Sequence, residues 1–132
     1  MQPTTITETA RPSLSLFGIA LVIISAILTS AANLLFRSSL SGSANLSLSG
    51  TFLRLLHSPP FYVAWTLYLL AAGVWFRVLK TEPLSSSYPI LMGLSFVMVS
   101  LGAVKLFSEG MSVMKVVGMA IILLGMVLVA RA

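Results

Sequence analysis

Hydrophobic and polar positions are arranged along this chain in long blocks. Apolar residues fill four stretches, at about residues 16–36, 61–79, 84–107 and 113–130. A helix needs roughly 20 apolar residues to cross the hydrocarbon core of a bilayer, and each stretch is close to that length. Backbone in lipid must satisfy its own hydrogen bonds, and these stretches lack the polar–apolar alternation of barrel strands. The pattern therefore predicts four transmembrane helices.

The short connections predict the topology. The linkers at 80–83 and 108–112 are tight, so the helices that each one joins should run antiparallel, and the pair around 80–83 should pack as neighbours. The predicted fold class is an all-α integral membrane protein with four transmembrane helices in up-down-up-down order, acting as a dimer. Both termini then lie on the same side of the membrane.

The remaining segments differ from the spans in composition. Residues 1–12 are polar and are predicted to form a disordered N-terminal tail, which leaves 13–132 as one four-helix membrane domain. The linker 37–60 begins with a Ser-, Gly- and Asn-rich loop. It ends with residues 51–57, which are predicted to form a short amphipathic helix at the membrane interface.

Composition supports a membrane protein and excludes several other classes. Hydrophobic residues make up 58% of the chain and charged residues 8%, whereas a soluble domain carries about 25% charged residues. The net charge of +5 contains no basic run that would suit nucleic acid, so it indicates positions near lipid phosphates. With no Cys, one isolated His57 and no catalytic motif, the sequence predicts no metal site, no cofactor and no enzyme activity.

The basic residues do not settle the orientation of the chain. The predicted topology places equal numbers of them on the two sides of the membrane, so the positive-inside rule favours neither. Three interpretations follow. The chain inserts in both orientations and pairs antiparallel, or a partner subunit fixes its orientation, or one or two flanking residues determine it. The two groups are Arg11, Arg77, Lys80 and Arg131 on the terminal side, and Arg37, Arg54, Lys105 and Lys115 on the other.

The first helix carries a polar stripe. Ser25, Thr29, Asn33 and Arg37 recur every four residues and share one helical face. Polar groups in a span are costly unless they meet protein or water. Two interpretations are open: the stripe hydrogen-bonds to a neighbouring helix, which is favoured for Ser25, or it lines a substrate cavity, which is favoured for the part ending at Asn33 and Arg37.

The third helix combines hydroxyl groups with a proline. Ser85 and Tyr88 precede Pro89, which removes a backbone donor, and Gly93 adds a second weak point. A gate at Pro89 and Gly93 and a harmless kink are both consistent with this pattern. Near the far end of the same helix, Lys105 either pairs with Glu109 four residues later or binds an anion at the membrane surface.

The last helix has no polar residue in its middle. Gly118, Ile122 and Gly125 lie on one face, and small residues allow membrane helices to approach closely. This face is predicted to be a dimer interface, with packing inside the chain as the alternative.

Three motifs resemble the drug/metabolite transporter superfamily, in its four-helix branch that is similar to small multidrug-resistance proteins. They are residues 83–90 (PLSSSYPI), residues 103–109 (AVKLFSE) and the glycine-bearing segment 118–125, within a match over about 14–130. The second motif is most similar to subunits thought to flip undecaprenyl-phosphate-aminoarabinose across the bacterial inner membrane. The spacing from Asn33 to Arg37 also resembles that group.

This resemblance implies a multi-pass transporter or flippase of the bacterial inner membrane, moving an anionic lipid-linked sugar. It also implies a homodimer, or a heterodimer with a homologous subunit. Drug exporters of this branch carry a proton-exchanging carboxylate where this chain has Thr29, and an aromatic residue where it has Leu91. Alternating access without proton coupling is therefore expected. The predicted substrate-binding residues are Ser25, Thr29, Asn33, Arg37, Ser85, Tyr88 and Lys105.

Two alternatives stay open at this point. One is an exporter of small molecules of the multidrug-resistance type, against which the missing carboxylate counts. The other is an accessory membrane subunit without transport of its own.

Overall fold

The computed structural model describes residues 14–132, and its regular elements are five helices. Four of these, α1, α3, α4 and α5, are long and apolar enough to span a membrane. No strand occurs in residues 14–132, so the predicted all-α fold with four spans is confirmed. The predicted tail, residues 1–12, lies outside the described part. The helices are α1 Leu16–Leu40, α2 Leu48–Leu56, α3 Pro59–Thr81, α4 Leu84–Phe107 and α5 Val113–Arg131.

The helix ends follow from local chemistry. Ser15 caps α1, since its hydroxyl accepts a hydrogen bond from the Gly18 amide. Pro59 begins α3, where a missing amide hydrogen removes no helical bond. Helix α4 ends at Phe107 because Ser108 adopts a left-handed conformation with φ 53°.

Helix α1 is the centre of the bundle. It packs antiparallel to α3 and parallel to α4, as shown by the contacts of Ser25 with Ala71 and of Ser30 with Ser95. Small buried residues such as Ala26 allow this close approach. The core cluster is formed by Val22, Ala26, Val78, Ile90 and Leu91.

Helices α3 and α4 are not the close neighbours that their tight linker suggested. Their extensive contacts are with α1, and they approach each other near the linker, where the rings of Trp75 and Tyr88 lie 6.2 Å apart. A short linker fixes only where two helices meet at one end. Along the rest of their length, α3 and α4 pack against α1, because its small side chains allow close approach.

Helix α5 lies at the edge of the bundle. Among the described helices, its extensive contact is with α4 alone. Met119 is its one buried residue in the described chain, and large side chains such as Ile121 and Leu124 are exposed. Within one chain, most of the α5 surface is therefore left for lipid or another subunit.

Candidate functional site

A polar cavity lies at the end of the bundle opposite the start of α1 and the end of α5. It has a volume of about 540 Å³ and is lined by Arg37 and Leu40 of α1, by residues 41–44 of the linker that follows, and by Phe107. The Arg37 guanidinium lies 5.9 Å from the centre of the Phe107 ring, within range of a cation–π interaction. Its Nη2 lies 3.7 Å from Oε1 of Glu109. The site thus offers a cation, an anion and an aromatic ring at one membrane face.

Local backbone geometry builds this site. Helix α1 continues four residues beyond its predicted end at position 36, which carries Arg37 within the last turns of a regular helix. The left-handed Ser108 turns the chain out of α4, so that Glu109 reaches Arg37. Gly42, at φ +80°, lets the following linker turn. Arg54 of α2 holds that turn by donating from Nη1 to the Gly42 carbonyl at 2.8 Å.

The pairing of Lys105 with Glu109, one of the two alternatives that the sequence left open, is not the one that the structure shows. The spacing assumed a continuous helix, but α4 ends two residues before Glu109. Within residues 14–132, the carboxylate of Glu109 pairs with Arg37, and Lys105 is exposed. Lys105 therefore remains a second cation at the same end of the bundle.

The polar stripe of α1 faces α3 over most of its length. Ser25 is 1% exposed and its hydroxyl donates to the Ala71 carbonyl at 3.5 Å. The Tyr68 hydroxyl donates to Oδ1 of Asn33 at 2.8 Å. Thr29 lies half-buried between them. In the single chain Ser25 and Asn33 bind the neighbouring helix, as the packing alternative predicted for Ser25, and Arg37 is the member of the stripe that lines the polar cavity.

The remaining predicted substrate residues lie at the other end. Ser85 and Tyr88 line a cavity of about 660 Å³ between the ends of α3 and α4, together with Trp75. At 1.5 Å per residue, Tyr88 and Lys105 lie roughly 26 Å apart along α4. The predicted cations and the hydroxyl groups of Ser85 and Tyr88 thus lie at opposite ends of the bundle, with Thr29 between them, and one headgroup cannot contact both ends at once.

Four of the predicted gate and interface residues line one cavity between α4 and α5, and Gly118 lines a second one; the four are Pro89, Gly93, Ile122 and Gly125. Pro89 lines the cavity that contains Tyr88, while Gly93 is buried against α5. A Cβ atom at Gly93 would lie 3.3 Å from Cγ2 of Ile122, so Ile122 contacts α4 while 37% of it stays exposed. At Gly118 and Gly125 a Cβ would have no neighbour within 4 Å. The gating and dimer roles of these residues stay predictions.

Two contacts were missed by the sequence analysis. One is the Tyr68–Asn33 hydrogen bond, and the other joins Glu82 to the start of α1. The Glu82 carboxylate accepts hydrogen bonds from the amide of Ser15, at 3.0 Å, and from its hydroxyl. Both contacts depend on the register of α1 against α3, for which the sequence carries no local signal.

The acidic residues of the described chain lie outside its helices. Glu82 is the C-terminal cap of α3, and Glu109 follows α4. No group of His, Asp and Glu in residues 14–132 is arranged to hold a metal ion. The four spans therefore contain no carboxylate that could exchange protons within the bilayer.

Comparison with known proteins finds similarity to flippase subunits. Over 64 residues, the chain is 44% identical to a probable 4-amino-4-deoxy-L-arabinose-phosphoundecaprenol flippase subunit, ArnF, from Yersinia enterocolitica, covering 47% of this chain and 49% of that protein. A protein of the same name from Shewanella sediminis is 45% identical over 64 residues, covering 47% of this chain and 43% of that protein. The chain thus spans about half or less of the length of these curated relatives.

The other comparisons are negative. No family model matches the chain, and no solved structure matches it. The curated relatives confirm the resemblance to flippase subunits that the motifs indicated. Their names describe a part of a transporter and not an enzyme, in agreement with the prediction that the chain has no enzyme activity.

Proposed function

We propose that this chain is a subunit of a flippase that moves an anionic, polyprenyl-phosphate-linked sugar across the bacterial inner membrane. Support comes from its similarity to two proteins named as flippase subunits for 4-amino-4-deoxy-L-arabinose-phosphoundecaprenol. The four apolar helices suit a lipid-embedded carrier. The observation that carries the proposal is the position of Arg37, whose charge lies in a cavity at one membrane face.

The headgroup phosphate is the part of the substrate that Arg37 suits best. A guanidinium binds phosphate oxygens through two parallel hydrogen bonds, which gives geometric specificity as well as binding energy. Lys105 supplies a second, exposed cation at the same end. The polyprenyl tail stays in lipid, where the exposed apolar faces of the helices meet it.

Movement of the sugar uses the hydroxyl groups farther along the bundle. Ser85 and Tyr88 mark the far end of the path, roughly one membrane thickness from Arg37. Thr29, half-buried on α1, lies between the two ends. Alternating access about Pro89 and Gly93 would expose one end and then the other.

Transport is proposed to run without proton exchange. A proton-coupled carrier needs an ionisable group that is reached from both sides of the membrane. Glu82 and Glu109 instead lie at opposite ends of the bundle, each at a linker. Collapse of the pH gradient across the vesicle membrane is therefore expected to leave the flipping rate unchanged.

A partner subunit completes the proposed transporter. One chain encloses little space, and α5 exposes most of its surface. A second copy or a homologous subunit is proposed to cover the face that bears Gly118 and Gly125, where a Cβ would find no neighbour within 4 Å.

The test is a flipping assay in proteoliposomes that contain the full chain, alone and with its candidate partner. The substrate is a polyprenyl-phosphate-linked amino sugar, and the measured quantity is the fraction that reaches the opposite leaflet over time. Replacing Arg37 and Lys105 together by Gln is expected to reduce the rate by tenfold or more, because each cation contributes to phosphate binding. The matched control is Lys80→Gln, which removes an exposed charge at the other end.

Two results would contradict the proposal. Flipping that is unaffected by the Arg37 and Lys105 changes would exclude this site. Flipping by the partner alone, at the same rate with and without this chain, would instead favour an accessory subunit without transport of its own.

A further inference from the structure

Arg37, which lines the polar cavity, lies beside the opposite charge of Glu109. The guanidinium of Arg37 and the carboxylate of Glu109 are 3.7 Å apart, and their side chains are 66% and 41% exposed. Glu109 also lines a second cavity, of about 330 Å³, between α4 and α5. Both charges therefore face space that a ligand can enter, and neither is committed to the core.

An exposed ion pair of this kind is weakly held. Water screens its attraction, and two flexible side chains must be ordered to keep it. A phosphate that bound Arg37 would also approach the negative charge of Glu109, which would oppose binding. A headgroup with a phosphate and a protonated amine avoids this conflict, because its amine can take the place of Arg37 beside Glu109.

Another cation near Glu109, Lys115, does not pair with it in this structure. Lys115 lines the same cavity as Glu109, but its ammonium donates to the Gly110 carbonyl at 3.2 Å. Among the described residues, the ion pair of Glu109 is with Arg37. Glu109 is therefore free to exchange that one partner for a ligand amine.

We propose that Glu109 is a specificity residue that binds a positively charged group on the headgroup. The Arg37–Glu109 pair opens when a zwitterionic headgroup binds, with its phosphate on Arg37 and its ammonium on Glu109. This inference rests on the proposed function, because it assigns recognition of the headgroup amine at the same site to Glu109. An amino-sugar phosphate and the ethanolamine phosphate of a phospholipid share this chemistry, so the experiment must distinguish them.

The experiment measures binding of three short-chain probes to the full chain in nanodiscs of phosphatidylcholine. The probes are a neryl phosphate of 4-amino-4-deoxy-arabinose, the same compound with a hydroxyl in place of the amine, and dihexanoyl phosphatidylethanolamine. The wild-type chain is expected to bind the amino probe about three to five times more tightly than the hydroxyl probe, as suits one exposed charge pair. Glu109→Gln is expected to abolish this preference.

The controls separate recognition from loss of structure. Glu109→Asp keeps the carboxylate and should keep the preference. Glu82→Gln makes the same chemical change at the other end of the bundle, where the side chain can still accept from Ser15, and should also keep it. Tight binding of the phosphatidylethanolamine probe that depends on Glu109 would assign the site to a phospholipid headgroup.

The outcomes against the inference are specific. A preference that survives Glu109→Gln overturns it. So does a Glu109→Gln variant that binds both sugar probes more tightly by the same factor, since Glu109 would then be only a counter-ion for Arg37. In either case the proposed function still stands if Arg37→Gln weakens both sugar probes. If the wild-type chain binds no probe, the proposed function and the inference both fail.

Discussion

Polar side chains of α1 hold this helix in register with its neighbours. Ser25 donates to α3 and Ser30 to the Ser95 carbonyl of α4, while Asn33 accepts from Tyr68. Inside a bilayer no water is available to hydrogen-bond these groups, so their partners are residues of the next helix. The polar stripe of α1 could line a cavity by its sequence pattern. For these residues, its main role is instead to pack α1 against the neighbouring helices.

The Tyr68–Asn33 hydrogen bond can be tested by Tyr68→Phe. This change removes the donor and leaves Oδ1 of Asn33 without it, so the free energy of unfolding should fall by about 0.6 kcal/mol, the average for such bonds between membrane helices. Unfolding in mixed detergent micelles measures the change. Tyr88→Phe is the control, because this residue is exposed. Equal stability of the two variants would contradict the contact.

At the scale of elements, α4 connects the core to the edge of the bundle. One of its faces packs on α1 and another on α5. Gly93 allows the second contact, since a Cβ there would lie 3.3 Å from Ile122 and 3.4 Å from Sδ of Met126. The glycine that the sequence suggested as a hinge is thus also a close-packing position.

Gly93→Leu is expected to destabilise the chain. A larger side chain forces α4 and α5 apart, at a cost of about 1–3 kcal/mol. Gly73→Leu is the matched control, because a Cβ at that position on α3 has no neighbour within 4 Å. Equilibrium unfolding of both variants measures the difference. A Gly73 variant that is destabilised as much as the Gly93 variant would show that the seam is not responsible.

At the scale of the whole molecule, a single chain leaves much of its apolar surface without a protein partner. The core is built by α1, α3 and α4, whereas α5 contacts α4 and little else among the described helices. The predicted cations and the hydroxyl groups of Ser85 and Tyr88 lie at opposite ends of this frame. The proposed function assigns one of these ends to each leaflet.

The predicted dimer interface has a direct test. Gly118→Leu and Gly125→Leu should leave the isolated chain folded, since a Cβ at either position has no neighbour within 4 Å. If α5 packs on a second subunit, each change should weaken the dimer by about tenfold or more, because close approach of the backbones is lost. Chemical cross-linking in membranes measures the dimer fraction, with Gly73→Leu as the control. An unchanged dimer would place the interface elsewhere.

The candidate site was predictable only in part. Arg37 was a candidate because it ends the polar stripe of α1, and the resemblance to flippase subunits suggested a phosphate-bearing substrate for it. Its partner was not predicted, because helical spacing offered Lys105 as the partner of Glu109. One residue in a left-handed conformation, Ser108, changed that pairing, and a serine gives little local indication of such a turn.

The sequence by itself determined the class of molecule, its four spans and their alternating direction. Length and apolar content decide these properties, because the thickness of the bilayer and the hydrogen-bonding needs of the backbone leave few alternatives. Only the tertiary structure decided that α1 is central, that its polar stripe meets α3, and that Arg37 pairs with Glu109. Those outcomes depend on how small and polar side chains pack between neighbouring helices. The pattern of apolar blocks does not determine the register of one helix against another.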